Sequence, residues 1–388
     1  MDVTALLPVM LIFDTAKFVK SKSYHPLVYR ILLTVFLFFN VQFLRSQESF
    51  SDNLSVNLTS HLGFVLPEYQ FINLIANDYT RSIGLDVLKE TKGKSEWEQR
   101  YNYPAYGLSF FYSTLGNDKI LGRELAVSPF FRIYLMDKNK FHLFTQVGLG
   151  LGIVNRKFDL EDNFMNVAVG SYYNIHLNWR LGISVDITDK IRLMSGVSFD
   201  HFSNANTAEP NLGINYLSSY LGVGMNLGRI TERIKGEIAD HQAAIENEIV
   251  LSFGGKHSRA LSTNYYQTMS FSFEKRKSFF KALHIGLGAD IFYDGSIKDQ
   301  LIDQNKKFQD HYSFQTGIHL TKSLVYNNFS LSLQAGIYLG LIERVEGYVM
   351  YNRGIVKYWI SEKISVRLSM KSHLHILDYP EFGIGIKL

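Results

Sequence analysis

Two-residue alternation, renewed over segments of about ten residues, constrains this chain more than any other feature. In residues 176–187, Leu177, Trp179, Leu181, Ile183, Val185 and Ile187 alternate with His176, Asn178, Arg180, Gly182, Ser184 and Asp186. In residues 329–340, Phe329, Leu331, Leu333, Ala335, Ile337 and Leu339 alternate with Ser, Gln, Gly and Tyr, and "EFGIGIKL" at the C-terminus repeats the pattern. Successive side chains of a strand point to opposite faces, so each segment has one apolar and one polar face. A soluble sandwich also alternates. Here the apolar faces carry almost no polar residue, an export signal precedes them, and the sequence ends in a strand. Together these predict an all-β fold, a transmembrane antiparallel β-barrel.

Composition agrees. The 29 Phe, 23 Tyr and 29 Gly among 388 residues suit aromatic girdles and crowded interiors. With no Cys, disulfide frameworks and thiolate chemistry are excluded. The net charge of +4 comes from scattered Lys and Arg, which is no nucleic-acid footprint. Near the N-terminus, Lys17, Lys20, Lys22 and Arg30 precede an apolar run at 31–41. That run is too short for a membrane-spanning helix and suits a signal-peptide core, with cleavage near Arg45, Ser46 and Gln47. Residues 1–47 therefore read as an N-terminal extension and signal peptide, the alternative being a membrane anchor.

The chain repeats itself. "QVGLGLG" at 146–152 returns as "QAGIYLG" at 334–340, and "ITDKI" at 187–191 returns as "ISEKI" at 360–364, in the same order. Ordered matches suggest a duplication. Between the halves, residues 229–248 are charged, with Ile230, Ile234 and Ile238 at helical spacing, which predicts a solvent-side linker with a short helix. The barrel-forming segments are then 48–228 and 249–388. Each holds about eight strand-like stretches, enough to close a small, filled barrel. Two tandem eight-stranded barrels are expected; one barrel of about sixteen strands is the alternative.

Polar residues on the wrong face mark the candidate site. In "IRLMSGVSFDHFS", Ser195, Val197, Phe199, His201 and Ser203 share one phase, and Met194, Gly196, Ser198, Asp200 and Phe202 the other. Gly196, Ser198 and Asp200 suit a polar interior, so Val197 and Phe199 face lipid, and His201 and Ser203 with them. In the next strand Asn215 shares the lipid phase of Leu217, Leu221, Val223 and Met225. Polar groups facing hydrocarbon are costly unless paired or interfacial. His and Ser at i and i+2 lie roughly 6.5 Å apart along a strand. Side-chain tilt closes that gap to a hydrogen bond, so the imidazole can take the Ser proton, while neighbouring Asn side chains can donate to an oxyanion. A bare His-x-Ser also fits the start of an interfacial loop.

The longer pattern "HFSNA" followed by "PNLGIN" resembles the PagL-type lipid A 3-O-deacylases, outer-membrane esterases of Gram-negative bacteria. The resemblance implies an eight-stranded barrel with a His-Ser-Glu triad on its lipid-facing wall, hydrolysing the 3-O-acyl ester of lipid A in lipopolysaccharide. It implies no cofactor and no metal. His201 then matches the general base and Ser203 the nucleophile, with Asn204 and Asn211 at the oxyanion-hole positions. The acidic member falls on Asn215, a departure from the family. Asn215 is the expected orienting group, and Glu209, in the loop before Pro210, the alternative. Other readings are an outer-membrane phospholipase or other lipid esterase, or a non-catalytic barrel with a decayed site. Expected partners are lipid A and outer-membrane lipids; oligomeric state is not set by the sequence. The second half should be catalytically silent. In "ISVRLSMKSHLHI", Ile364, Val366, Leu368, Met370 and Leu374 mark the lipid face, His373 and His375 point inward with Ser365, Arg367 and Lys371, and no Asn-rich segment follows.

Overall fold

The structure, a computed structural model, describes residues 51–388 except 68–69, 205–206, 237–242, 259–263, 281, 327, 340–347 and 374–375. The signal segment, Ile238, Leu374 and His375 lie outside the described residues. The first half runs β1 (Leu54–Leu66), α1 (Gln70–Ile75), β2 (Thr80–Glu90), α2 (Glu96–Arg100), β3 (Ala105–Thr114), β4 (Arg123–Lys138), β5 (Phe141–Val154), β6 (Tyr173–Asp186), β7 (Ile191–Ser203) and β8 (Ile214–Asn226). The second runs β9 (Ile245–His257), β10 (Tyr265–Phe280), β11 (Leu283–Asp294), α3 (Ile297–Asp303), β12 (Phe314–Tyr326), β13 (Phe329–Leu339), β14 (Met350–Trp359), β15 (Ile364–His373) and β16 (Ile376–Lys387).

Within each half every strand pairs antiparallel with its sequence neighbour, and each half closes on itself, β1 on β8 and β9 on β16. The alternative of one sheet of about sixteen strands is thereby excluded. Closure matters physically, because a strand edge in hydrocarbon would leave N–H and C=O groups without partners, at several kcal/mol each.

Burial follows the alternation. Along β7, Arg192, Met194, Ser198, Asp200 and Phe202 are buried inside, while Ile191, Leu193 and Val197 are exposed on the outer wall. The interiors are packed with polar side chains, many of them joined in ion pairs. In the first barrel Asp86 meets Arg132 at 3.3 Å and Arg180 at 3.0 Å, and all three are almost fully buried. In the second, Asp290 meets Arg353 at 2.9 Å and His319 at 2.6 Å, and Arg353 reaches Glu381 at 3.0 Å. A fully buried guanidinium is tolerable only when carboxylates balance it.

The two ends of the first barrel differ. At one end Asn139 and Lys140 alone join β4 to β5 and residues 187–190 join β6 to β7, with one longer connection, 91–104, that carries α2. At the other lie α1 and the connections 115–122, 155–172 and 204–213. That long-loop end is capped from within by a hydrophobic cluster containing Val65, Ile72, Ile75, Phe111, Val169, Phe202 and Ile214.

The connection between the barrels departs from expectation. Residues 229–236 form no helix, and β9 starts at Ile245, inside the segment expected to be linker. Backbone bonding to the short-turn end of the first barrel replaces helical bonding: Asn53 N–H donates to Arg229 O at 2.9 Å and Ile234 N–H to Lys92 O at 2.7 Å. The Arg233 guanidinium pairs with Asp137. Ile230 and Ile234 therefore lie on a segment docked against the first barrel. The barrels also touch through side chains: the Tyr326 ring of β12 lies 4.4 Å from Phe131, 4.7 Å from Tyr101 and 5.8 Å from Trp97, centroid to centroid.

Asp86→Ala should cost about 3–5 kcal/mol, because it leaves Arg132 and Arg180 buried without their shared counter-charge. Urea unfolding of the refolded protein in detergent, followed by heat-modifiable gel migration, measures this; a variant as stable as the parent would refute the ionic account of the interior.

Candidate active site

The site is built by alternation at the end of β7. His201 and Ser203 face outward and Phe202, between them, faces inward. Phe202 is completely buried in the capping cluster, so its burial sets the phase of both neighbours. On β8 the same holds for Asn215, flanked by the inward Ile214 and Tyr216, each at most 1% exposed. The register places His201 directly opposite Asn215, and Ser203 opposite Ile175 of β6.

These three polar side chains form one hydrogen-bond chain. Ser203 Oγ lies 2.9 Å from His201 Nε2, and His201 Nδ1 lies 2.6 Å from Asn215 Oδ1. With the amide oxygen accepting, Nδ1 carries the ring proton, and the Nε2 lone pair faces the serine hydroxyl. Ser203 itself is buried and His201 and Asn215 are half-buried. Asp200 points inside, bonded to His176 at 3.0 Å and to Asn178 at 2.6 Å, and takes no part in the outer chain.

The loop 204–213 completes the surroundings. Asn204 is adjacent to the serine, but its side chain is spent on the loop. Its Nδ2 donates to Ala208 O at 2.7 Å, and its Oδ1 accepts from Thr207 N–H at 3.1 Å, as short Asx side chains do in turns. Asn211 Oδ1 accepts the Asn204 backbone N–H at 2.9 Å, which fixes Asn211 beside the serine segment. Asn204 is thus a poor candidate for a side-chain oxyanion donor, and Asn211, whose NH2 is not used in that bond, a better one. Glu209 is not brought to His201. Its carboxylate takes the Asn211 backbone N–H, and burial pushes it above the usual carboxylate range.

Two glycines hold this loop in place. Gly213 adopts a φ of +74°, where a side chain is strained, and a Cβ there would stand 3.2 Å from His201 Cε1 and 3.4 Å from Ser203 Cβ. Gly170, in the neighbouring connection, lies so close to Glu209 that a Cβ would meet its carbonyl oxygen at 2.7 Å. Gly213 N–H donates to Ala168 O at 2.9 Å, tying the two connections together.

The second barrel is built differently at the corresponding connection. Residues 374–375 alone join β15 to β16, where the first barrel has 204–213. Its His373 lies on the interior side, 2.9 Å from the Tyr338 hydroxyl and stacked on Tyr348. Sequence reasoning did not single out the buried set behind the site, in which Glu124 accepts from His176 at 2.6 Å and from the Tyr216 hydroxyl at 3.1 Å. The only signal for it was polar residues on the inward phase.

Comparison with known proteins adds the following. Residues 81–224 match the family "Lipid A 3-O-deacylase (PagL)", and residues 245–388 match "Acyloxyacyl hydrolase, C-terminal domain". Among solved structures, that of the outer membrane enzyme PagL is similar at 15% identity over 43% of this chain and 97% of that chain, with a TM-score of 0.29. Neisserial surface protein A is similar at 11% identity over 45% of this chain and 97% of that one, with a TM-score of 0.31. No curated protein matches the chain in sequence.

Phe202→Ala should lose about 3–5 kcal/mol of stability by opening a cavity under the site. Gly213→Ala should cost only about 1–2 kcal/mol yet displace His201 and Ser203. Denaturant titration of both variants would contradict this packing if their order were reversed.

Proposed function

This chain belongs to the lipid A 3-O-deacylase (PagL) family of outer-membrane hydrolases, and from that premise we propose that it is a serine esterase removing the 3-O-acyl chain of lipid A. The observation that carries the reading is the hydrogen-bond chain Ser203–His201–Asn215 on the outward wall. Its position favours a lipid ester. In outer-membrane barrels short turns face the periplasm and long loops the exterior, so a site beside the long loops meets the outer leaflet, where lipid A lies.

The steps follow from the geometry. Ser203 Oγ attacks the ester carbonyl as its proton passes to His201 Nε2. Asn215 Oδ1 holds the Nδ1 proton, which keeps the accepting lone pair on Nε2. The Asn211 NH2 donates to the oxyanion, and Asn204 holds Asn211 in place through its backbone N–H. The imidazolium returns the proton to the departing sugar oxygen, and water then releases the fatty acid from Ser203 by the same route. Leu66, Ile175 and Leu177, opposite the three site residues on the adjoining strands, offer an apolar wall along which the acyl chain can lie.

Mass spectrometry of lipid A incubated with the protein should show loss of one hydroxyacyl chain. Ser203→Ala and His201→Ala should abolish that loss while still giving a heat-modifiable barrel, and Asn211→Ala should slow it by about two to three orders of magnitude. His373→Ala should leave it unchanged. Release of lysophospholipid instead would select a phospholipase, and parent-like activity in Ser203→Ala would overturn the assignment.

Asn215 makes a distinct prediction. An amide can present oxygen or NH2 to the ring, whereas a carboxylate presents only oxygen and also stabilises imidazolium. Asn215→Glu should therefore keep or raise the rate and move the acid limb of its pH profile upward, since a base of higher pKa loses its lone pair at higher pH. Asn215→Ala should be slower, and Glu209→Gln close to the parent. Inactive Glu209→Gln beside unaffected Asn215→Ala would make the loop carboxylate the third member.

A further inference from the structure

The outward walls of the two barrels carry their cations differently. On the first barrel outward Arg and Lys of the described strands stand only at strand ends: Arg81, Lys89, Arg123 and Lys138. Arg81 and Arg123 are paired there with Asp78 and Asp118 of the adjoining loops. On the described strands of the second barrel the outward phase carries three lysines, Lys275 and Lys277 of β10 and Lys322 of β12. All three are exposed, and no carboxylate among the described residues pairs with them. The one close partner is the Phe279 ring, 5.7 Å from the Lys277 ammonium.

The sheet register gathers them. Lys277 pairs with Ile285, and Ile285 with Lys322, so the two lysines share one row across three strands. Two strand spacings put their backbones roughly 10 Å apart, and Lys275 stands roughly 6.6 Å along the strand from Lys277. Lysine stems span that distance, so three ammoniums can converge on one anion. The row lies at the short-turn end, three residues above the turn that joins β10 to β11. At a strand tilt of about 40° this is roughly 7–8 Å of depth, the level of headgroups in the periplasmic leaflet. Unpaired cations on a lipid-facing wall at that depth need a counter-charge, and their stems lie along apolar surface while the heads reach the interface.

We propose that Lys275, Lys277 and Lys322 form a seat for the phosphate of an anionic glycerophospholipid of the periplasmic leaflet. The seat adjoins the junction between the barrels, since Lys322 shares the outward phase of β12 with Tyr326, which packs against Trp97, Tyr101 and Phe131 of the first barrel. It is separate from the hydrolytic site, which lies at the opposite end of the other barrel.

The test uses full-length protein reconstituted in phosphatidylcholine vesicles with a minor fraction of phosphatidylglycerol, then extracted and weighed by native mass spectrometry. The parent should retain phosphatidylglycerol in preference to phosphatidylcholine, and retention should fall roughly fivefold for each charge removed in Lys275→Gln, Lys277→Gln and Lys322→Gln. Lys89→Gln should retain it fully, as should the triple Lys→Arg variant, and all should deacylate lipid A at the parent rate. If the triple glutamine variant fails to insert, Lys322→Gln alone must still lower retention. Equal retention in the glutamine variants, or of phosphatidylcholine by the parent, would overturn the proposal. Displacement of phosphatidylglycerol by lipid A in mixed vesicles would overturn the assignment to a glycerophospholipid.

Discussion

In hydrocarbon no water is available to a peptide group, so each N–H and C=O must find its partner within the protein. Closing the sheet is the only way a strand can meet that demand. Here the closures are β1 on β8 and β9 on β16, and the rest of the structure follows from them. A closed sheet has an inside and an outside, so alternation becomes a strict assignment of each residue to interior or lipid. An eight-stranded barrel is too narrow for a channel, so the interior must be filled. This chain fills it with buried ion pairs around Asp86 and Asp290. The same rule makes an outward His, Ser and Asn costly unless they satisfy one another. They do so, at 2.9 Å and 2.6 Å.

The halves share closure and polar interiors and differ in their connections, among them the one beside the candidate site. In the first barrel β7 leads into residues 204–213, whose Asn204, Asn211 and Gly213 shape the surface beside Ser203. In the second only two residues, 374 and 375, separate the matching strands. The two barrels thus share a scaffold and differ where the candidate site lies, which fits the general separation of fold from site.

Much of this could be read from the residues because a period of two is rigid. Once Gly196, Ser198 and Asp200 were assigned to the interior, the outward position of His201 and Ser203 followed, and the structure agrees. What periodicity cannot supply is register. Asn215 lies opposite His201 only because the loop 204–213 has its particular length and path. That same path determines that Glu209 bonds the Asn211 backbone rather than the imidazole. The role of Asn204 was equally hidden, since a side chain that closes its own turn looks in sequence like one that donates to a ligand. In the described part of the linker, Ile230 and Ile234 lie in a non-helical stretch that exchanges backbone bonds with Asn53 and Lys92 of the first barrel. Closure into two sheets rather than one also depended on long-range pairing, which repeats in the sequence suggested without deciding.

The central claim is that Ser203, activated by His201 on the lipid-facing wall, forms an acyl-enzyme. Covalent trapping tests it most directly. A long-chain fluorophosphonate, supplied in detergent micelles, should add its phosphonyl mass to the peptide containing Ser203, and the adduct should disappear in His201→Ala. Labelling of a different residue, or full lipid A deacylation by protein in which Ser203 is completely blocked, would contradict the account.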